Sequence, residues 1–175
     1  KVRGVEQQQA PRLFWFRSHN QPSYQDQVTL AILHVKETTM TIYCRGIRGA
    51  TTAEDNTRQA ILEATRELLI RLIEANDLRV EDIASAIFST TADLNAEFPA
   101  VAARELGWLD TALMCTHEMR VPGSLERCIR VLIHWNTPRA ANEIVHVYMR
   151  GATTLRPERA LQSQRVLEAA RQTKQ

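Results

Sequence analysis

Hydrophobic positions recur at helical spacing along one long stretch, "TTAEDNTRQAILEATRELLIRLIEAND". Ile61, Thr65, Leu68, Leu69, Leu72 and Ile73 fall on one face, and Glu63, Arg66, Glu67, Arg71 and Glu74 fill the other. The pattern predicts a helix of about five turns. Thr, Asp and Asn offer caps at its start, and Asn76-Asp77 ends it. Elsewhere the alternation is that of strands, whose side chains point in turn to two faces. Such runs open at Met40 with "MTIYCRGIRG" and recur at 82–94, 111–119, 125–137 and 145–155. The run at 125–137, "LERCIRVLIHWNT", is the most β-branched and most regular. "FPAVAARELGW" (98–108) reads as a short helix, with Pro99 in its first turn and Gly107 as its stop. "VPGS" is a turn, and "TPRAANEI" has room for one helical turn.

Strand, long helix, strand, short helix and three further strands make an α/β (α+β) chain. Its mixed sheet has about five strands, with the one long and one short helix on one face. The other face is then left uncovered, which is a reason to expect an oligomer. Residues 1–39 break from this pattern. They are polar and Gln-rich, with two apolar islands, "RLFWFR" and "VTLAILHV", that offer at most a marginal strand. This composition fits a poorly ordered N-terminal extension. The chain begins at Lys1, as a fragment or processed form would, and Met40 is expected to be the functional start. Residues 40–157 form the expected domain, and 158–175 a polar, weakly amphipathic tail. The pentapeptide "RGATT" occurs at 48–52 and again at 150–154, too short an echo for a repeat architecture.

Composition narrows the class. With 44% apolar and 24% charged residues, 175 residues can bury a core without disulfides or metals. A net charge of +2 gives no argument for nucleic acid or a membrane surface. No apolar run has the length of a membrane span. Three cysteines, Cys44, Cys115 and Cys128, do not form a disulfide framework and fit a reducing, cytoplasmic location.

The candidate chemistry centres on arginine. Arg48 in "RGIRGATT" points away from Ile47, between Gly46 and Ala50, whose small side chains leave room for an approaching group. Arg130 interrupts the apolar strand "CIRVLIHW". It meets an internal carboxylate, faces solvent, or meets an anionic ligand. Glu118 closes the strand "CTHEM", a place where surface glutamates are common. Cys115 and His117 share a face there, but no third group completes a nucleophilic set. Phe98 could line an apolar wall or belong to the core, and Arg104 beside Glu105 could simply be solvated. Tyr148 and Arg156 flank the last strand. The five histidines show no HExxH spacing, and no CxxC, phosphate loop or dinucleotide fingerprint is present. Three arginines, one carboxylate and two aromatics suit a small, partly apolar ligand with several negative charges.

"RGIRGATT", "LNAEFPAVAAREL", "CTHEM", "PGSLERCIRV", "HVYM" and "TLRP" together resemble the small trimeric chorismate mutases, the AroH class, across residues 44–157. The resemblance implies a homotrimer with a barrel-like core and active sites at subunit clefts. It implies conversion of chorismate to prephenate, on the route to phenylalanine and tyrosine, with no metal, no cofactor and no covalent intermediate. By the same resemblance Arg48 holds a substrate carboxylate, Arg130 reaches the ether oxygen, and Glu118 accepts from the ring hydroxyl. Cys115 sits near that end of the substrate. Tyr148, Leu155 and Arg156 bind substrate, while Phe98, Ala100 and Arg104 form wall and rim, contributed by a neighbouring subunit. Val101 stands where the family commonly carries a lysine, which bears on how the dianion is steered in. Two other classes remain open to the residues alone: an imine or enamine deaminase of similar trimeric architecture, and a non-catalytic module that binds a small dianion.

Overall fold

The computed structural model describes Gln25 and residues 40–172. The expectations for the N-terminal extension therefore lie outside the described residues. Every element below belongs to the unit Thr41–Gln175.

Five strands form one mixed sheet: β1 (Tyr43–Thr52), β2 (Ile83–Thr90), β3 (Ala112–His117), β4 (Cys128–Thr137) and β5 (Val147–Tyr148). Their order is β3-β2-β4-β1-β5. The central strand β4 runs antiparallel to β1 and β2, while β3 and β5 pair in parallel at the edges. Helices α1 (Arg58–Asn76), α2 (Ala100–Glu105) and α3 (Pro157–Gln172) complete the fold.

The long helix forms where the periodicity places it. Thr57 caps its start by accepting from the Ala60 N–H, and Asp77 ends it in the left-handed region at φ 53°. Its apolar face, with Leu68, Leu69 and Leu72, packs on Ile47, Phe88, Val131 and Ile133 of the sheet. Gly49 makes this close approach possible, because a Cβ there would lie 2.7 Å from Leu72 Cδ1. The small residue that matters sterically is thus one that faces the helix. A Cβ at Gly46, beside Arg48, would meet only an ordinary contact at 3.5 Å.

Helices α1 and α2 cover one face, as the pattern implies, while Ala160 of α3 reaches round to Ala50 and Tyr148. On the other, Arg130, Leu132 and His134 of β4 are half-buried and Arg48 of β1 is exposed. Met114 of β3 is 55% exposed.

Two segments differ from the sequence reading. The run 145–155 is not one long strand. It pairs only at Val147 and Tyr148, and Arg150–Leu155 then winds into a 3-10 helix. Arg150 turns the chain at φ 50°, where its guanidinium reaches Glu67 at 2.8 Å and the Thr52 carbonyl at 3.3 Å. Residues 157–172 form α3, which buries only Ala160 and Ser163. It is a helix made by good formers, with one narrow apolar contact, so hydrophobic patterning alone does not reveal it.

Asn76 belongs to the core as well as to the helix end. It is fully buried, donates to the carbonyls of Leu72 and Val145, and accepts from the Val145 N–H at 2.9 Å. These bonds hold the approach to β5 as a strand partner would.

Candidate active site

A cleft of about 430 Å³ opens on the face of the sheet opposite the long helix. Arg48, Arg130, Leu132, Tyr148, Leu155 and Arg156 line it. The alternation of β1 and β4 delivers both strand arginines to one face, since Ala50 pairs with Arg130 and Arg48 with Leu132. Tyr148 pairs beside Ala50 and is buried with Ala152 and Ala160. The 3-10 helix that follows carries Leu155 and Arg156 to the rim. A regular strand over 145–155 would have carried them past it.

Arg130 is half-buried, and one terminal nitrogen lies 3.4 Å from Glu118 Oε2. Its Nε is buried and has no acceptor among the described residues. Glu118 follows β3, anchored by its N–H to the Thr90 carbonyl at 2.9 Å. Ser89 donates to the other carboxylate oxygen. No motif marks Ser89 in the sequence, although its place opposite Arg130 follows from the β2–β4 pairing. Cys128 lies next to Arg130 on the same face, and burial pushes its thiol pKa up against the opposing pull of the guanidinium. Arg48 and Arg156 have no carboxylate partner among the described residues. Three guanidiniums against one carboxylate leave the cleft positively charged, as a ligand with two carboxylates needs.

The other expected site residues stand elsewhere. Phe98, 67% exposed, and Cys115 line a second cleft of about 450 Å³ at the β3 edge, across the sheet from the first. Ala100 is buried at the start of α2, and Arg104 is exposed near its end. His117 contacts Thr90, with 3.1 Å between Nδ1 and Oγ1. One chain therefore presents two clefts, toward opposite edges of its sheet.

His146, just before β5, also touches this apparatus. The Arg48 backbone N–H donates to its Nδ1 at 3.1 Å. Burial, then the charges of Arg48 and Arg159, lower its pKa from 6.5 to about 4. The unfolded chain therefore binds a proton that the folded chain refuses between these values. His146 contributes its full stability above about pH 6.5, and that share is lost as pH falls through about 4. The thermal midpoint of the wild type is expected to fall more steeply than that of His146→Asn over this window, measured by circular dichroism.

The family model for chorismate mutase type I matches residues 44–159, most of the chain. The chain belongs to the type I chorismate mutase family. Relatives agree along nearly their whole length. Chorismate mutase AroH of Thermus thermophilus is 50% identical over 115 residues, covering 65% of this chain and 94% of that protein. Chorismate mutase AroH of Bacillus subtilis is 45% identical over 118 residues, covering 67% and 93%. A solved chorismate mutase from Clostridium thermocellum superposes with a TM-score of 0.62 at 53% identity, over 62% of this chain and 97% of that one. The matched span of this chorismate mutase holds the lining residues of both clefts. The deaminase and the non-catalytic module drop away with this membership.

Proposed function

We infer that this chorismate mutase rearranges chorismate to prephenate by electrostatic and conformational catalysis, with Arg130 as the decisive group. The observation that carries the assignment is the buried Nε of Arg130, without an acceptor among the described residues, in a cleft rich in positive charge. A buried donor without an acceptor is costly in the free protein, and an electron-rich ligand atom relieves that cost.

The rearrangement is intramolecular and transfers no proton. The substrate must fold into a compact, chair-like shape, which costs conformational freedom. Arg48 on one carboxylate, with Arg156 and Tyr148 helping to bind substrate, selects that shape before reaction. Breaking of the C–O bond runs ahead of C–C formation, so negative charge grows on the ether oxygen. Arg130, already aimed and half-desolvated, binds that charge more tightly than it binds the ground state. Glu118, held by Ser89 and Arg130 in the free protein, also accepts from the ring hydroxyl. Leu155 gives the apolar carbons a wall.

The chain is read as a homotrimer in which the β3-edge half-site of one subunit completes the β5-edge half-site of the next. Phe98, Cys115 and the Ala100–Arg104 helix then close the cleft from the neighbour. Met114, Met119 and Val121, at 55%, 83% and 54% exposure, support such an interface. Light scattering on the eluted protein is expected to give three times the 19.9 kDa of one chain. A monomer with full activity would contradict the shared cleft. Among the described residues no helix is long and apolar enough to cross a membrane. Cys44, Cys115 and Cys128 are all free thiols, which supports a cytoplasmic, reducing location.

The activity is tested with purified protein and chorismate alone, following ultraviolet absorbance and assaying prephenate. Loss of chorismate with matching prephenate is the expected result. A rate no faster than the spontaneous one would overturn the reading.

A further inference from the structure

β5 is two residues long, yet it holds the segment that places Tyr148 in the cleft. Its ladder to β1 spans only Gly49–Val147 and Ala50–Tyr148, and Met149 N–H donates to the Ala50 carbonyl at 2.9 Å. One step earlier, the Arg48 N–H meets an imidazole, His146 Nδ1 at 3.1 Å. The preceding residue, Val145, is clamped by Asn76 through both its N–H and its carbonyl. His146 therefore stands between two fixed points, and its ring takes over where the ladder stops.

Nδ1 can accept only from a neutral ring with its proton on Nε2. The charged groups that bear on the ring are Arg48 from β1 and Arg159 from α3, both cations that oppose its protonation. Half-burial acts in the same direction. The contact is thereby kept as an acceptor for the Arg48 backbone N–H.

We propose that His146 is a positioning residue for Arg48, its neutral imidazole fixing the β1 backbone at 48 so that the guanidinium is held ready for a substrate carboxylate. This rests on Arg48 being the carboxylate-binding group of the mutase. Arg48 grips the same carboxylate in substrate and transition state, so disorder in its backbone weakens both nearly alike. The loss then falls on KM rather than kcat.

Two variants and one spectrum test it on the full chain. His146→Asn places an amide oxygen near the position of Nδ1 and keeps the acceptor. Its KM is expected within about threefold of wild type. His146→Leu removes the acceptor and is expected to raise KM about tenfold, with kcat within about threefold, the scale of one lost hydrogen bond. Equal impairment of both variants, or a loss confined to kcat, overturns the proposal. The nitrogen-15 shifts of the His146 ring report the bond without any substrate. They are expected to show the Nε2–H tautomer, with no titration between pH 5.5 and 8, a range that starts about a unit and a half above the lowered value. A ring that titrates near 6.5, or the Nδ1–H tautomer, overturns it even if His146→Leu does not fold. A wild-type protein inactive on chorismate would instead sink the functional reading, and the spectrum would still decide the hydrogen bond.

Discussion

Arg130→Ala is expected to lower kcat by at least about 10²–10³-fold, the usual cost of removing one preorganised donor to a developing oxyanion. The fall should exceed any change in KM, because the contact strengthens only as the ether bond breaks. Arg130→Lys should also be severe. A lysine brings a comparable charge but not the planar fork that serves Glu118 and the ether oxygen together. The pairing in the free protein sharpens this. Arg130 meets Glu118 through one terminal nitrogen at 3.4 Å, which is too loose to satisfy the whole guanidinium. Alanine also strands Glu118 as a half-buried carboxylate facing an incoming dianion. Steady-state rates on chorismate, with circular dichroism to confirm folding, read the outcome. A lysine variant within a fewfold of wild type would remove Arg130 from its role.

Arg48→Ala is expected to reduce kcat/KM by about 10–10²-fold, most of it through KM. A charge-assisted hydrogen bond to a carboxylate contributes about 1.5–3 kcal/mol, and the range follows from that figure. Arg48 is exposed and free of any ion pair among the described residues, so removing it strands no buried partner. Its loss should therefore leave the thermal midpoint nearly unchanged. That combination, weak binding in a stable protein, separates a substrate-gripping arginine from a structural one. Unaltered kinetics in Arg48→Ala would contradict the assignment.

The parts of the fold that were legible in the sequence are those where one pattern runs long enough to dominate. The helix over Arg58–Asn76 and the strands β1, β2 and β4 bury one continuous face each, so periodicity reports them directly. "RGATT" shows where this stops. At 48–52 the pentapeptide is a strand between two neighbours, while at 150–154 it is a 3-10 helix with no sheet to join. The two copies even touch, through the Gly151 N–H and Thr52 Oγ1 at 3.2 Å. Five identical residues take both forms because pairing partners, not local preference, decide between them. The helix 157–172 escaped for the opposite reason, since its burial is too slight to mark the sequence.

The site was legible in the same uneven way. Arg130 announced itself as a charge within an apolar strand. Arg48, Tyr148 and Arg156 could be named, but their meeting depends on the turn at Arg150 that no strand pattern contains. Ser89 and His146 carry no such mark, because serine and histidine on half-buried strands are common. Only the partner across the sheet gives them meaning. Phe98 and Cys115 lie at the far edge of the sheet from Arg48, a separation set by strand order that no local pattern in the sequence reveals.

A crystal structure with a stable analogue of the rearranging ring system tests the central claim most directly. The analogue must carry the two carboxylates, the ether oxygen and the ring hydroxyl. The account predicts an Arg130 nitrogen within about 3 Å of the ether oxygen, with Glu118 on the hydroxyl. An Arg130 still bound to Glu118 alone, with the ether oxygen facing solvent or another group, would contradict it.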